Sequence, residues 1–114
     1  SSLLLALMAS GPSGQNFAFH GYLPAKDEER KKRLKELEAE SRKSRQTQLF
    51  IETPYRNRQM LEALLGALAP QTRLCVATDL SLPGETVTTL PVSAWRKKEA
   101  PDFDRRPTVF LLLA

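Results

Sequence analysis

The chain has 114 residues, which is one domain's worth of polypeptide, and its 41% apolar content is enough to bury a core. The net charge of +4 permits an anionic partner without demanding one. A single cysteine, Cys75, excludes an internal disulfide framework and points to a reducing, cytoplasmic compartment.

In chain order, the first segment is "SSLLLALMAS", residues 1–10. It has no basic residues before it and is too short to span a bilayer, so it reads as a buried helix over residues 3–9 stopped by Gly11-Pro12. The absence of an initiator Met fits a fragment that begins inside a longer protein. "FAFHGYLP", residues 17–24, is a short strand ended by Pro24. Residues 26–46 hold strong helix formers and no Gly or Pro, with acidic residues at the start and basic ones at the end, as a helix dipole favours. Only Leu34 and Leu37 are large and apolar there, so the helix buries a narrow stripe.

Residues 47–53, "TQLFIET", read as a second strand, and 56–70 as an amphipathic helix through Met60, Leu61, Leu64, Leu65 and Leu68. Residues 72–80 form a third strand buried through Leu74, Cys75, Val76 and Ala77. "LPGE" at 82–85 is a turn. A short strand with a brief helix around Trp95 follows in 86–95, then a polar connector in 96–106 and a last strand in 107–114. Strands alternating with helices predict an α/β fold, a three-layer-like domain with a mixed, mostly parallel sheet of about five strands. The short links near the C-terminus predict at least one antiparallel pair.

Ligands of open α/β sheets bind beyond the strands' carboxyl ends. Three such ends carry polar residues: His20-Gly21-Tyr22, Glu52 through Arg56, and Thr78 through Ser81. One Cys and one His build no zinc site, and no nucleophile–base set or Gly-rich phosphate loop stands out. His20 is most simply structural, Cys75 core, and the charged helix a solvated face. Glu52 and Asp79 could cap the elements that follow them.

Four motifs in order then carry a resemblance: "SSLLLALMASG", "GYLP", "ETPYR" and "TDLS". In this order they resemble the C-terminal half of the tetrapyrrole (corrin/porphyrin) methylase family, on the branch of the 16S-rRNA ribose 2′-O-methyltransferases. That branch has "GFLP", "ESPHR" and "RELTK" elements, and here Tyr55 replaces the His and Thr78-Asp79 the Arg-Glu pair. The resemblance implies two α/β domains with S-adenosylmethionine between them. It implies that residues 1–114 are the C-terminal domain and lack the N-terminal one with its Gly-Asp-Pro motif. It implies Glu52, Asp79, Leu80, Pro107 and Thr108 as cofactor-binding positions. Tyr22, Tyr55, Arg56, Arg30, Lys31 and Arg33 are substrate-side candidates toward rRNA or a tetrapyrrole. It further implies a homodimer, no membrane segment and an isolated domain without activity; it assigns no catalytic residue. The alternative is a non-enzymatic RNA- or protein-binding module that uses the basic helix 26–46.

Overall fold

A computed structural model describes residues 16–114. The helix expected over residues 3–9 lies outside the described residues. The elements are β1 (Phe17–Tyr22), α1 (Asp27–Ser44), β2 (Thr47–Ile51), a 3-10 turn (Pro54–Arg56), α2 (Asn57–Ala67), β3 (Arg73–Thr78), β4 (Thr86–Pro91), α3 (Val92–Trp95) and β5 (Thr108–Leu113). All but the 3-10 turn were legible in the sequence to within a few residues.

The strands form one mixed sheet in the order β1-β2-β5-β3-β4, so the α/β class stands. The pairing corrects the expectation of a mostly parallel sheet. Only β1–β2 is parallel; β2–β5, β5–β3 and β3–β4 are antiparallel. The βαβ unit β1-α1-β2 makes the parallel pair, as a helical crossover does. The last strand then inserts between β2 and β3 and runs against both. The layering is also simpler than expected. Among the described residues, α1, α2 and α3 share one core on one face of the sheet.

That core joins Leu34 and Leu37 of α1, Met60 and Leu64 of α2, and Val92 and Trp95 of α3 to Phe50, Leu74, Val76, Phe110 and Leu112. Each such aliphatic side chain contributes about 1.5–3 kcal/mol by leaving water. Phe50 and Phe110 stack with ring centroids 5.8 Å apart, and Phe103 meets Phe110 edge-on at 6.5 Å. The Trp95 indole donates to the Leu74 carbonyl at 2.8 Å, which satisfies its one polar atom.

The stripe of α1 that faces the core is partly polar. Arg30, Leu34, Leu37, Glu38 and Ser41 recur at helical spacing and are all buried. Glu38 Oε2 accepts from the Ala69 amide at 2.8 Å and from the Thr72 hydroxyl at 2.5 Å, and Ser41 Oγ accepts from the Ala114 amide at 2.9 Å. Two leucines suffice for this helix because these bonds fix it to α2's end and to the chain's C-terminus.

Leu49, Cys75, Ala77 and Leu111 are buried on the opposite face, with Leu80, Val87 and Val109 packed against them. Cross-strand register explains the division: Ile51, Val109, Ala77 and Val87 lie abreast, as do Phe50, Phe110, Val76 and Thr88 one residue away.

Candidate functional site

β1, β2 and β3 point the same way, so their C-terminal ends meet at one end of the sheet. β5 runs against them and begins there. The face carrying Ile51, Ala77 and Val109 forms the floor of a cavity of about 420 Å³ at this end. Glu52 and Pro54 wall it from the end of β2, Asp79, Leu80 and Leu82 from the end of β3, and Pro107 and Thr108 from the start of β5. Tyr22 closes the β1 side.

Tyr22 reaches this face because of a bulge. Phe19 pairs with Leu49, yet it is Tyr22 that pairs with Ile51, so β1 carries one extra residue. Gly21 takes it up at φ +67°, a left-handed conformation that a side chain would strain. Without the extra residue, Tyr22 would point to the other face.

Each cofactor candidate presents different chemistry. Glu52 is 7% exposed. Its Oε1 accepts from the Thr53 amide at 2.7 Å, while Oε2 is buried with no hydrogen-bond partner. The expected capping role is not seen: α2 begins after Arg56 without any side-chain cap. Asp79 Oδ2 meets Arg106 Nη1 at 3.1 Å, and its amide donates to the Pro107 carbonyl at 2.9 Å, tying the end of β3 to the start of β5. Asp79 and Ser81 both have positive φ, and Arg105 does too just before Arg106. Three left-handed residues thus frame this corner, and such strain persists only where neighbours hold it. Leu80 contributes apolar wall. Thr108 is buried, and its hydroxyl is engaged on the helix side: it donates to the Arg106 carbonyl at 3.0 Å and lies 3.3 Å from the Thr78 hydroxyl. Only its backbone is left for a ligand.

Sequence reading missed two residues here. Asn57, fully buried in the first turn of α2, donates through Nδ2 to the Phe103 carbonyl at 2.9 Å, the Arg106 carbonyl at 2.8 Å and Thr108 Oγ1 at 3.1 Å. Arg106 bridges Asp79 and, at 3.4 Å, Asp102. Together they set the segment that leads into β5. The Asn in "ETPYRN" was the available signal for the first; nothing marked the second within its polar connector.

The substrate-side candidates fall into separate places. Tyr22 lines the cavity and is exposed. Tyr55 is exposed on the 3-10 turn, with the Arg56 guanidinium 5.3 Å from its ring centre. Tyr55 lines a neighbouring groove with Arg58, Asp104 and Arg105, and the Arg105 amide donates to the Pro54 carbonyl at 3.3 Å. Pro54 therefore joins groove and cavity. Arg30, Lys31 and Arg33 are not at the cavity. Arg30 is buried and paired with Asp27 at 2.8 Å, and with Lys31 it lines a cleft between α1 and α2. Arg33 lies 3.4 Å from His20 Nδ1 and 3.6 Å from Glu36. His20 is structural, as expected, with its Nε2 2.5 Å from Gln48 Oε1. Burial pushes the Cys75 thiol above its ordinary range, against a smaller lowering by Thr89.

No protein-family model matches the chain. It is 32% identical over 112 residues to the ribosomal RNA small subunit methyltransferase I of Vibrio cholerae, covering 98% of this chain and 38% of that protein. It is 33% identical over 99 residues to the protein of the same name from Escherichia coli, covering 84% of this chain and 33% of that protein. The chain thus spans less than two-fifths of the length of these curated relatives. In fold it is similar to the methyltransferase CobJ, with a TM-score of 0.60 at 21% identity over 99% of this chain and 47% of that one. It is also similar to uroporphyrin-III C-methyl transferase from Thermus thermophilus complexed with S-adenyl homocysteine, with a TM-score of 0.52 at 18% identity over 99% and 49% of the two chains. Among the described residues no helix is long and apolar enough to cross a membrane. Over 112 of its residues the chain is a homologue of a segment of the ribosomal RNA small subunit methyltransferase I proteins, the branch of the tetrapyrrole methylase family that its ordered motifs resemble.

Proposed function

We propose that the chain is the C-terminal domain of an S-adenosylmethionine-dependent methyltransferase acting on small-subunit ribosomal RNA, and that the cavity is its share of the cofactor site. One observation carries the proposal. Glu52, Asp79, Leu80, Pro107 and Thr108, spread over 57 residues of sequence, line a single cavity. Relatives above 30% identity are named for ribosomal RNA, whereas the tetrapyrrole enzyme is similar in fold alone, which favours RNA as substrate.

The residues present fit the cofactor. A volume of about 420 Å³ lies within the usual range of roughly 300–1,000 Å³ for small-molecule sites. Its apolar floor suits an adenine ring and a methionine chain, and the orphaned Glu52 oxygen offers an acceptor for a donor group. When bound, the cofactor supplies an activated methyl group on a sulfonium. The chain's own part is to hold and orient. Ile51, Ala77 and Val109 would exclude water from the floor, backbone at Pro107-Thr108 and Leu80 would line the ligand's edge, and Glu52 would add charge to the site. Orientation alone is worth many kcal/mol of barrier, so no further reactive side chain is required of this domain. Tyr22 at the cavity, and Tyr55 with Arg56 on the adjoining turn, are placed to meet a base and its phosphate by stacking and charge. Lys31 and Arg33 on α1 would give outlying phosphate contacts; Arg30, held by Asp27, has a structural role. We take the assembled protein to be a cytoplasmic homodimer, which light scattering would check.

Calorimetric titration with S-adenosylhomocysteine tests the proposal on the protein from its whole reading frame and on this chain alone. Binding by the former and little by the latter is expected. Binding by neither would overturn the proposal and leave the reading of a module that docks through the helix 26–46.

A further inference from the structure

We propose that Glu52 makes the cavity selective for charge, favouring the cationic sulfonium cofactor over the neutral thioether that remains after methyl transfer. The inference rests on the cofactor reading above and names the residue that sets ligand preference within it.

Two carboxylates line the cavity, and they differ in one respect. Asp79 faces Arg106 at 3.1 Å, so its charge is largely compensated. Glu52 has no ion-pair partner among the described residues. It is 7% exposed, one oxygen is spent on the Thr53 amide, and the other is buried and unpartnered. The cavity it lines is walled mainly by apolar residues, among them Ile51, Leu80, Leu82 and Val109. A carboxylate taken from water into such surroundings without a counter-charge is costly. The low local dielectric that causes the cost also strengthens its attraction to any cation that enters.

S-adenosylmethionine and S-adenosylhomocysteine share every group but one. The first carries a methyl group and with it a positive charge on sulfur; the second is neutral there. Every contact to adenine, ribose and the amino-acid end is common to both and cancels in their affinity ratio. What remains is the interaction of one positive charge with the field of the cavity, and Glu52 is the uncompensated source of that field. Such a charge acts through space, so it needs no direct hydrogen bond to its buried oxygen. Loss of the methyl group then removes the electrostatic hold on the spent ligand, which helps it leave.

The test is calorimetry on the protein from its whole reading frame, wild type and Glu52→Gln, with three ligands. These are S-adenosylmethionine, S-adenosylhomocysteine and sinefungin, which bears an ammonium group in place of the sulfonium. Gln keeps an acceptor for the Thr53 amide and removes the charge. The wild type is expected to bind both cationic ligands about tenfold more tightly than the thioether, and the variant to bind all three within about twofold. A ratio unchanged in the variant overturns the inference, as does a wild type that binds all three alike. Should the variant fail to fold, a wild type that binds sinefungin no more tightly than the thioether still overturns it. A wild type that binds none of the three instead overturns the cofactor reading itself.

Discussion

Replacing Asn57 should loosen the site from behind. Its amide nitrogen reaches three oxygens at 2.8–3.1 Å on a segment 46–51 residues away, in a buried setting. The two amide protons are shared among the three acceptors. Thr108 gives its own proton to the Arg106 carbonyl, so all three partners accept and only a donor fits at this position. Two net hydrogen bonds at about 1 kcal/mol each, with the void left by truncation, put the cost of Asn57→Ala at about 2–4 kcal/mol. Asn57→Asp keeps the shape but faces oxygens with oxygens, so it should cost at least as much. Trp95 is the single tryptophan and is buried in the same core, so its fluorescence reports urea unfolding directly. Because the pinned segment leads into Pro107-Thr108, both variants should also bind S-adenosylhomocysteine more weakly. An aspartate variant within about 0.5 kcal/mol of wild type would refute the reasoning, since no alternative donor could replace the amide.

Thr108→Val removes a hydroxyl directed at Arg106 and Thr78; it should cost about 1–2 kcal/mol by denaturation yet leave ligand affinity within about twofold in calorimetry. Gly21→Ala places a side chain at φ +67° in open space, so strain alone should lower stability by about 1–2 kcal/mol, read from the urea midpoint. The raised Cys75 thiol means that the unfolded chain ionises first as pH climbs. Its contribution is intact below the ordinary thiol value of about 8.5 and is lost as pH rises through the folded one, so stability should fall in alkali. Cys75→Ala should flatten that fall, and native Cys75 should resist alkylation until the protein unfolds. A bulky replacement at Pro107 should weaken ligand binding by filling the cavity edge; unchanged affinity in calorimetry would take that residue out of the site.

What could be read in the sequence was local. Periodicity located α2 through Met60, Leu61 and Leu64, and apolar runs located β2, β3 and β5, because each pattern repeats within a few residues. Pairing was not local. Nothing in "PTVFLLLA" says whether β5 adds to an edge or enters between β2 and β3, and alternation of strands and helices favoured parallel pairs. The cofactor candidates followed from ordered motifs, and the cavity gathers them. Asn57 and Arg106 escaped because their meaning lies with partners far along the chain. Arg30 looked available on a charged helix, yet its position on the same stripe as Leu34 and Leu37 turned it inward.

The direction of β5 decides what the cavity is made of. Strand ends carry the polar residues of an open sheet, and β2 and β3 bring Glu52 and Asp79 to one end. If β5 lay parallel to them, its C-terminal leucines would arrive there and Pro107-Thr108 would sit at the far end. Running antiparallel, β5 instead sets Thr108 opposite Thr78 and lets the Pro107 carbonyl take the Asp79 amide at 2.9 Å. The same insertion places Arg106 against Asp79 and leaves Glu52, on the other flank of β5, without a cation. The inequality of the two carboxylates is thus a consequence of topology: one strand, inserted in reverse, neutralises the neighbour on one side only.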